Sequence, residues 1–100
     1  MKLTIADRLP SPANKKAPER GSLRVALVQF SWIEDEAAHR ENISRAVALA
    51  AQNGAEIVFL PELTLSRYPA DTLPSGTPSD SAEELESGPT FTLLAELAKA

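Results

Sequence analysis

Two apolar runs organise the chain, LRVALVQF at 23–30 and IVFL at 57–60, and polar residues scarcely interrupt either. Unbroken apolarity, unlike strict alternation, suits strands buried on both faces of a parallel sheet. Between the runs the period changes. Ile43, Ala46, Val47, Ala50 and Ala51 recur at helical spacing and predict a buried face on a helix over Glu36 to Asn53. Glu36 with Arg40 and Glu41 with Arg45 stand four apart on the other side, pairs worth about 0.2–0.5 kcal/mol each. His39 is expected on this solvated side. Asp35 suits the N-cap, and Gly54 suits the C′ position, where φ > 0 stops a helix. Strand, helix, glycine and strand make a βαβ unit with parallel strands and a right-handed crossover.

Pro61 has no N–H and should end the second strand, which makes Glu62 the first ionisable side chain beyond its carboxyl end. In open α/β sheets that edge is where ligands bind, and Ser31 opens onto the same edge. Glu62 is therefore a candidate for chemistry; a carboxylate that caps a turn or pairs with Arg67 is the alternative. Gln29 either faces the site or is a hydrogen-bonded amide at a strand end. Trp32 is expected to fill a core edge. Pro69, Pro74, Gly76 and Pro78 mark a long loop over 66–79, of a length that often lines a site. Ser81 to Glu86 suggests a short helical turn. Pro89 fits N1 of a further helix, with Phe91, Leu94, Leu97 and Ala98 expected on its buried face.

The remaining features bound the function. Residues 1–22 carry Pro10, Pro12 and Pro18 without an apolar period and are expected to be a disordered tail, leaving 23–100 as the folded part. Two parallel strands leave both sheet edges unpaired, and so few residues make a small core. The folded part is thus expected to be the front of a larger domain. The composition, 43% hydrophobic and 24% charged, supports one such core. A net charge of −4 argues against a nucleic-acid binder that neutralises phosphates. The absence of cysteine excludes disulfides, zinc–thiolate sites and a thiol nucleophile within these residues. No apolar run approaches the ~20 residues of a membrane span, and the start lacks a secretory core, so a soluble cytoplasmic protein is expected. His39 has no neighbours at ligand spacing, and Glu83, Glu84 and Glu86 read as a solvated face, so no metal is expected. Gly21, Gly54, Gly76 and Gly88 match no phosphate-binding glycine motif.

One resemblance covers Leu23 to Ala100. RVALVQF at 24–30, NGAEIVFLPEL at 53–63, LSRYP at 65–69 and GPTFTLLAELA at 88–98 resemble the N-terminal part of carbon–nitrogen hydrolases, the nitrilase superfamily. The resemblance implies an α/β fold, here the N-terminal part of an α-β-β-α sandwich, a βαβ unit plus a following helix. It implies hydrolysis of a non-peptide C–N bond in a small amide, N-carbamoyl amine or nitrile, by a Glu–Lys–Cys triad that needs no metal or other cofactor. Only the glutamate falls in this chain, at Glu62, and the lysine and cysteine are expected beyond Ala100. Lys99 lies in a helical stretch and not at a strand end. These 100 residues alone are therefore expected to be inactive. By resemblance Tyr68 lines the substrate pocket, while a ring packed beside Pro69 is the alternative. Arg67 stands where many members have glycine.

In such a triad a thiolate attacks the carbonyl or nitrile carbon and a carboxylate within hydrogen-bond reach takes the thiol proton. Burial of the carboxylate tunes it for that exchange, and an ammonium stabilises the tetrahedral oxyanion. The expected partner is a small molecule, with no nucleic acid and no membrane, and the intact protein is expected to be a homo-oligomer. A reading of a different class is a non-catalytic protein that binds a related subunit through its open sheet edge.

Overall fold

The structure is a computed structural model, and it describes residues 1–6, 12, 13, 16, 19–73 and 75–100. Four elements carry the fold: β1 (Val25–Leu27), α1 (Glu36–Gln52), β2 (Ile57–Phe59) and α2 (Pro89–Leu97). Short 3-10 turns lie between β2 and α2, at Pro69–Asp71 and Pro78–Ser81.

β1 and β2 pair in parallel, Val25 with Ile57, Ala26 with Val58 and Leu27 with Phe59. Both strands are shorter than the apolar runs that predict them. In this register the residues after Leu27 and Val28 face Leu60 and then Pro61, which has no N–H to donate. The last ladder bond runs from Val28 N to Phe59 O at 2.9 Å.

The expected burial on both faces is not met. Val25, Leu27, Ile57 and Phe59 alternate onto one face and are 49%, 81%, 43% and 53% exposed. Ala26 and Val58, on the other face, are half-buried.

α1 matches its expected limits because both ends are fixed locally. Asp35 Oδ1 accepts from Ala38 N at 2.7 Å, as an N-cap should. At the other end Gly54 takes φ +80°, Gly54 N donates to Ala51 O at 2.9 Å and Ala55 N donates to Ala50 O at 3.1 Å. That is a Schellman closure, which a Cβ at the left-handed position would strain. Arg24 Nη1 donates to Asn53 O at 2.8 Å and ties this helix end to the start of β1.

The core is small. Ile43, Ala46 and Ala50 from α1 are buried, and Leu93 joins them from α2, which lies against α1. His39 shares this stripe and is 2% exposed, so its expected place on the solvated side is corrected. Ala51, expected in the core, is exposed, and Val47 is half-buried. On the solvated side Arg40 Nε meets Glu36 Oε1 at 3.0 Å, whereas Glu41 and Arg45 form no ion pair among the described residues.

α2 starts at Pro89 as expected, but its buried residue is Leu93, and Phe91 and Ala98 are exposed. Its N-terminus is held from outside the helix. Glu83 Oε1 accepts from Thr90 Oγ1 at 2.6 Å and Oε2 accepts from Thr90 N at 2.8 Å. Gly88 is needed for space and not for its φ of −66°, since a Cβ there would sit 2.5 Å from Glu84 O and 2.6 Å from Glu83 Oε2.

The Thr90 hydroxyl, and then its backbone N–H, hold the Glu83 carboxyl below its ordinary 4.5. The unfolded chain therefore takes up this proton first as pH falls. The contribution of Glu83 to stability is complete above 4.5 and fades as pH drops through the lower, folded value. Urea unfolding between pH 7 and pH 3 should show a shallower loss of midpoint for Glu83→Gln than for the unmodified chain. Equal slopes would show that this cap does not couple to folding.

Candidate active site

The site is built where β2 gives out. Pro61 to Leu65 form a turn, and Glu62 projects from it with its side chain exposed. Among the described residues Glu62 makes no hydrogen bond and no ion pair. The burial expected for a catalytic carboxylate is therefore not supplied by the described residues.

The turn that carries Glu62 is tightly determined. Leu63 takes φ +57°, a left-handed conformation that a branched side chain rarely adopts. Thr64 is 7% exposed, and its Oγ1 donates to Pro61 O at 2.7 Å, closing the turn on itself. Ser66 N reaches Leu63 O at 3.3 Å. From α1, His39 Nε2 lies 2.9 Å from Thr64 O. A carbonyl only accepts, so Nε2 carries the proton and donates.

His39 is enclosed by residues that follow β1. The Phe30 ring meets it edge-on at 5.3 Å between centroids, and the Trp32 ring is tilted against it at 4.4 Å. Trp32 thus packs at a core edge, as expected. The histidine thereby connects the chain after β1, the first turn of α1 and the chain after β2. Among the described residues, buried His39 Nδ1 and Trp32 Nε1 have no hydrogen-bond partner.

Arg67 does not pair with Glu62. Its Nη1 donates to Glu34 Oε1 at 2.8 Å, and its Nε lies 3.9 Å from Asp71 Oδ2. The guanidinium clips the segment after β1 to the loop after β2, beside the candidate acid in sequence but turned to other carboxylates. Tyr68 is 62% exposed and leads into the turn at Pro69–Asp71. Ser31 is exposed at the carboxyl end of β1.

Elsewhere, a cavity of about 580 Å³ lies along β1, lined by Lys2 to Ala6 and by Arg24, Ala50 and Asn53 among others. Gln29 also lines it, whereas Glu62, Arg67 and Tyr68 do not. Among the described residues no group of three or more His, Asp or Glu side chains is arranged to hold a metal ion, and no helix is long and apolar enough to cross a membrane. In the acidic cluster, Glu83 is committed to Thr90.

The burial of His39 was missed by the sequence reading, although the spacing carried it. His39 precedes Ile43 by four, Ala46 by seven and Ala50 by eleven, which puts all four on one stripe. Polarity drew the residue to the charged side.

Chemically, an exposed carboxylate on a pinned turn at a strand end can accept a proton from a group brought to it. With no cysteine in the chain, that group is not a thiol of residues 1–100. Comparison with known proteins gives this arrangement its context. The chain is 31% identical over 96 residues to the chloroplastic omega-amidase of Arabidopsis thaliana, an alignment covering 92% of this chain and 25% of the relative. The chain thus spans about a quarter of the length of that curated relative. No solved structure matches the chain significantly. The sequence model of the family described as carbon–nitrogen hydrolase matches residues 24–100, from the start of β1 through the Glu62 turn to the end of α2. The chain belongs to the carbon–nitrogen hydrolase family.

Proposed function

We propose that the protein hydrolyses a non-peptide C–N bond in a small amide or N-carbamoyl amine, with Glu62 as the general base. The observation that carries this reading is the placement of Glu62. It is an uncommitted carboxylate at the carboxyl end of a parallel strand, on a turn fixed by its own hydrogen bonds, inside the segment that the family model matches. The relative's name, omega-amidase, supports an amide among the candidate substrates.

In the proposed mechanism Glu62 takes the proton of a cysteine thiol as the sulfur attacks the substrate carbon. It returns that proton to the departing nitrogen and then deprotonates the water that releases the acyl group. A lysine ammonium stabilises the oxyanion at each tetrahedral stage. The lysine and the cysteine come from sequence beyond Ala100. Tyr68 lines the substrate pocket from the loop after Glu62.

The partly exposed sheet face supports the completion of a sandwich. Val25, Leu27, Ile57 and Phe59 form an exposed apolar strip that a second sheet would cover, giving the α-β-β-α arrangement. Residues 23–100 are then the N-terminal part of that domain, and the assembled enzyme is a homo-oligomer.

The test is ammonia release by the protein expressed from its longest reading frame, across a panel of ω-amides, N-carbamoyl amines and nitriles. Turnover of amides or carbamoyl amines is expected. A folded protein that releases no ammonia from any member of the panel would overturn the reading.

A further inference from the structure

We propose that His39 is the positioning residue for Glu62, locking the Pro61–Thr64 turn by donating from Nε2 to the Thr64 carbonyl. The proposal rests on Glu62 as the general base, and three observations carry it.

The first is that burial of this imidazole is costly. His39 is 2% exposed, and among the described residues its Nδ1 has no partner. A buried polar atom left unpaired forfeits the hydrogen bonds it made to water and destabilises the fold. Phenylalanine or leucine would fill the same stripe beside Ile43 without that cost. What the imidazole adds is one directed donor, and that donor meets the turn bearing Glu62.

The second is strain. Leu63, next to Glu62, holds φ +57°. For a residue with a Cβ this region is sterically unfavourable and persists only where its surroundings over-determine it. The surroundings here are two hydrogen bonds on Thr64, from His39 Nε2 to its carbonyl at 2.9 Å and from its own Oγ1 to Pro61 O at 2.7 Å. Relaxation of Leu63 would swing the Glu62 side chain to another direction.

The third is the fixity of the histidine. It stands on the first turn of α1, whose start is fixed by Asp35, and it is flanked by Phe30 and Trp32 from the segment after β1. The donor is thus referenced to both strand ends of the site. Catalytic geometry requires that order of precision, since a misplacement of about 1 Å can cost ~10²-fold in rate.

Two readouts test this. His39 is the single histidine of these 100 residues, so its ¹⁵N-imidazole spectrum in the chain is unambiguous. The expected result is the Nε2–H tautomer with a slowly exchanging proton. An Nδ1–H tautomer, or an imidazole proton that exchanges as in free histidine, would overturn the proposal. The second readout is kinetic, in the protein expressed from its longest frame. His39→Phe keeps the packed ring and deletes the donor. It is expected to lower kcat about 10- to 100-fold with KM little changed. Combined with Glu62→Gln it should add no further loss, because it acts only through Glu62. A His39→Phe enzyme at full kcat, or losses that multiply in the double variant, would refute it. Should Glu62→Gln by itself leave turnover intact, the base assignment fails. The tautomer and exchange measurement then still decides whether His39 holds the turn.

Discussion

Replacing Ile43 with alanine is expected to lower the free energy of unfolding by about 2–5 kcal/mol, the range for removing a buried branched side chain. Ile43 is fully buried, and the apolar residues that share the core with it are only Ala46, Ala50 and Leu93 among the described residues. Two of those three are alanines and cannot extend into the space left behind. The cavity would persist, which places the expected loss toward the upper end of the range. Single domains commonly hold about 5–15 kcal/mol in all, and a core this small belongs at the bottom of that span. Urea unfolding followed by circular dichroism checks the expectation against two controls. Ile43→Val should cost about 0.5–1.5 kcal/mol. Leu85→Ala, at a residue 86% exposed, should stay within about 0.5 kcal/mol. An Ile43→Ala midpoint no lower than that of Ile43→Val would mean that the α1–α2 contact is not the centre of the fold.

The parts of this structure that were legible in sequence are those decided by local chemistry. Asp35 before Glu36 and Gly54 after Asn53 fix the ends of α1 through bonds within a few residues. Pro89 starts α2 for the same kind of reason. The parallel pairing followed from two apolar runs separated by one helix. Choices that depend on distant residues were less legible. α2 is apolar nearly all round, at Phe91, Leu93, Leu94, Ala95, Leu97 and Ala98, so periodicity did not single out Leu93 as its buried residue. The strands read as buried on both faces because their sequence is, yet one face is largely exposed among the described residues. That mismatch is physical information, since four exposed apolar side chains in register are a surface that a larger fold would cover.

The candidate site divides in the same way. Glu62 was found from its address, the first ionisable residue past a strand end. Its support was not found, because it comes from residues remote in sequence. Thr64 depends on His39, 25 positions earlier, and Arg67 reaches Glu34, 33 positions earlier. Polarity misled in both cases. A histidine among charged residues read as solvated, and an arginine five residues after an acid read as its possible partner.

Glu62→Gln is expected to reduce kcat about 10²- to 10⁴-fold, the usual contribution of a positioned general base, with KM little changed. Glutamine keeps the length and shape of the side chain and removes only its capacity to take a proton. The structure makes the experiment clean. Glu62 is exposed and, among the described residues, bonded to nothing, so the substitution should alter the unfolding free energy of this 100-residue chain by no more than about 0.5 kcal/mol. A loss of turnover at constant unfolding midpoint then reports chemistry and not folding. Glu62→Asp sharpens the result, because it keeps the charge and withdraws it by one methylene. Intermediate turnover is expected from a base whose reach matters, whereas a carboxylate acting only through its field would tolerate the shorter side chain. Ammonia release by the protein expressed from its longest frame, set beside the urea midpoint of the 100-residue chain, separates these outcomes. Full turnover in Glu62→Gln would remove this residue from the mechanism and leave the pinned turn as an element of architecture alone.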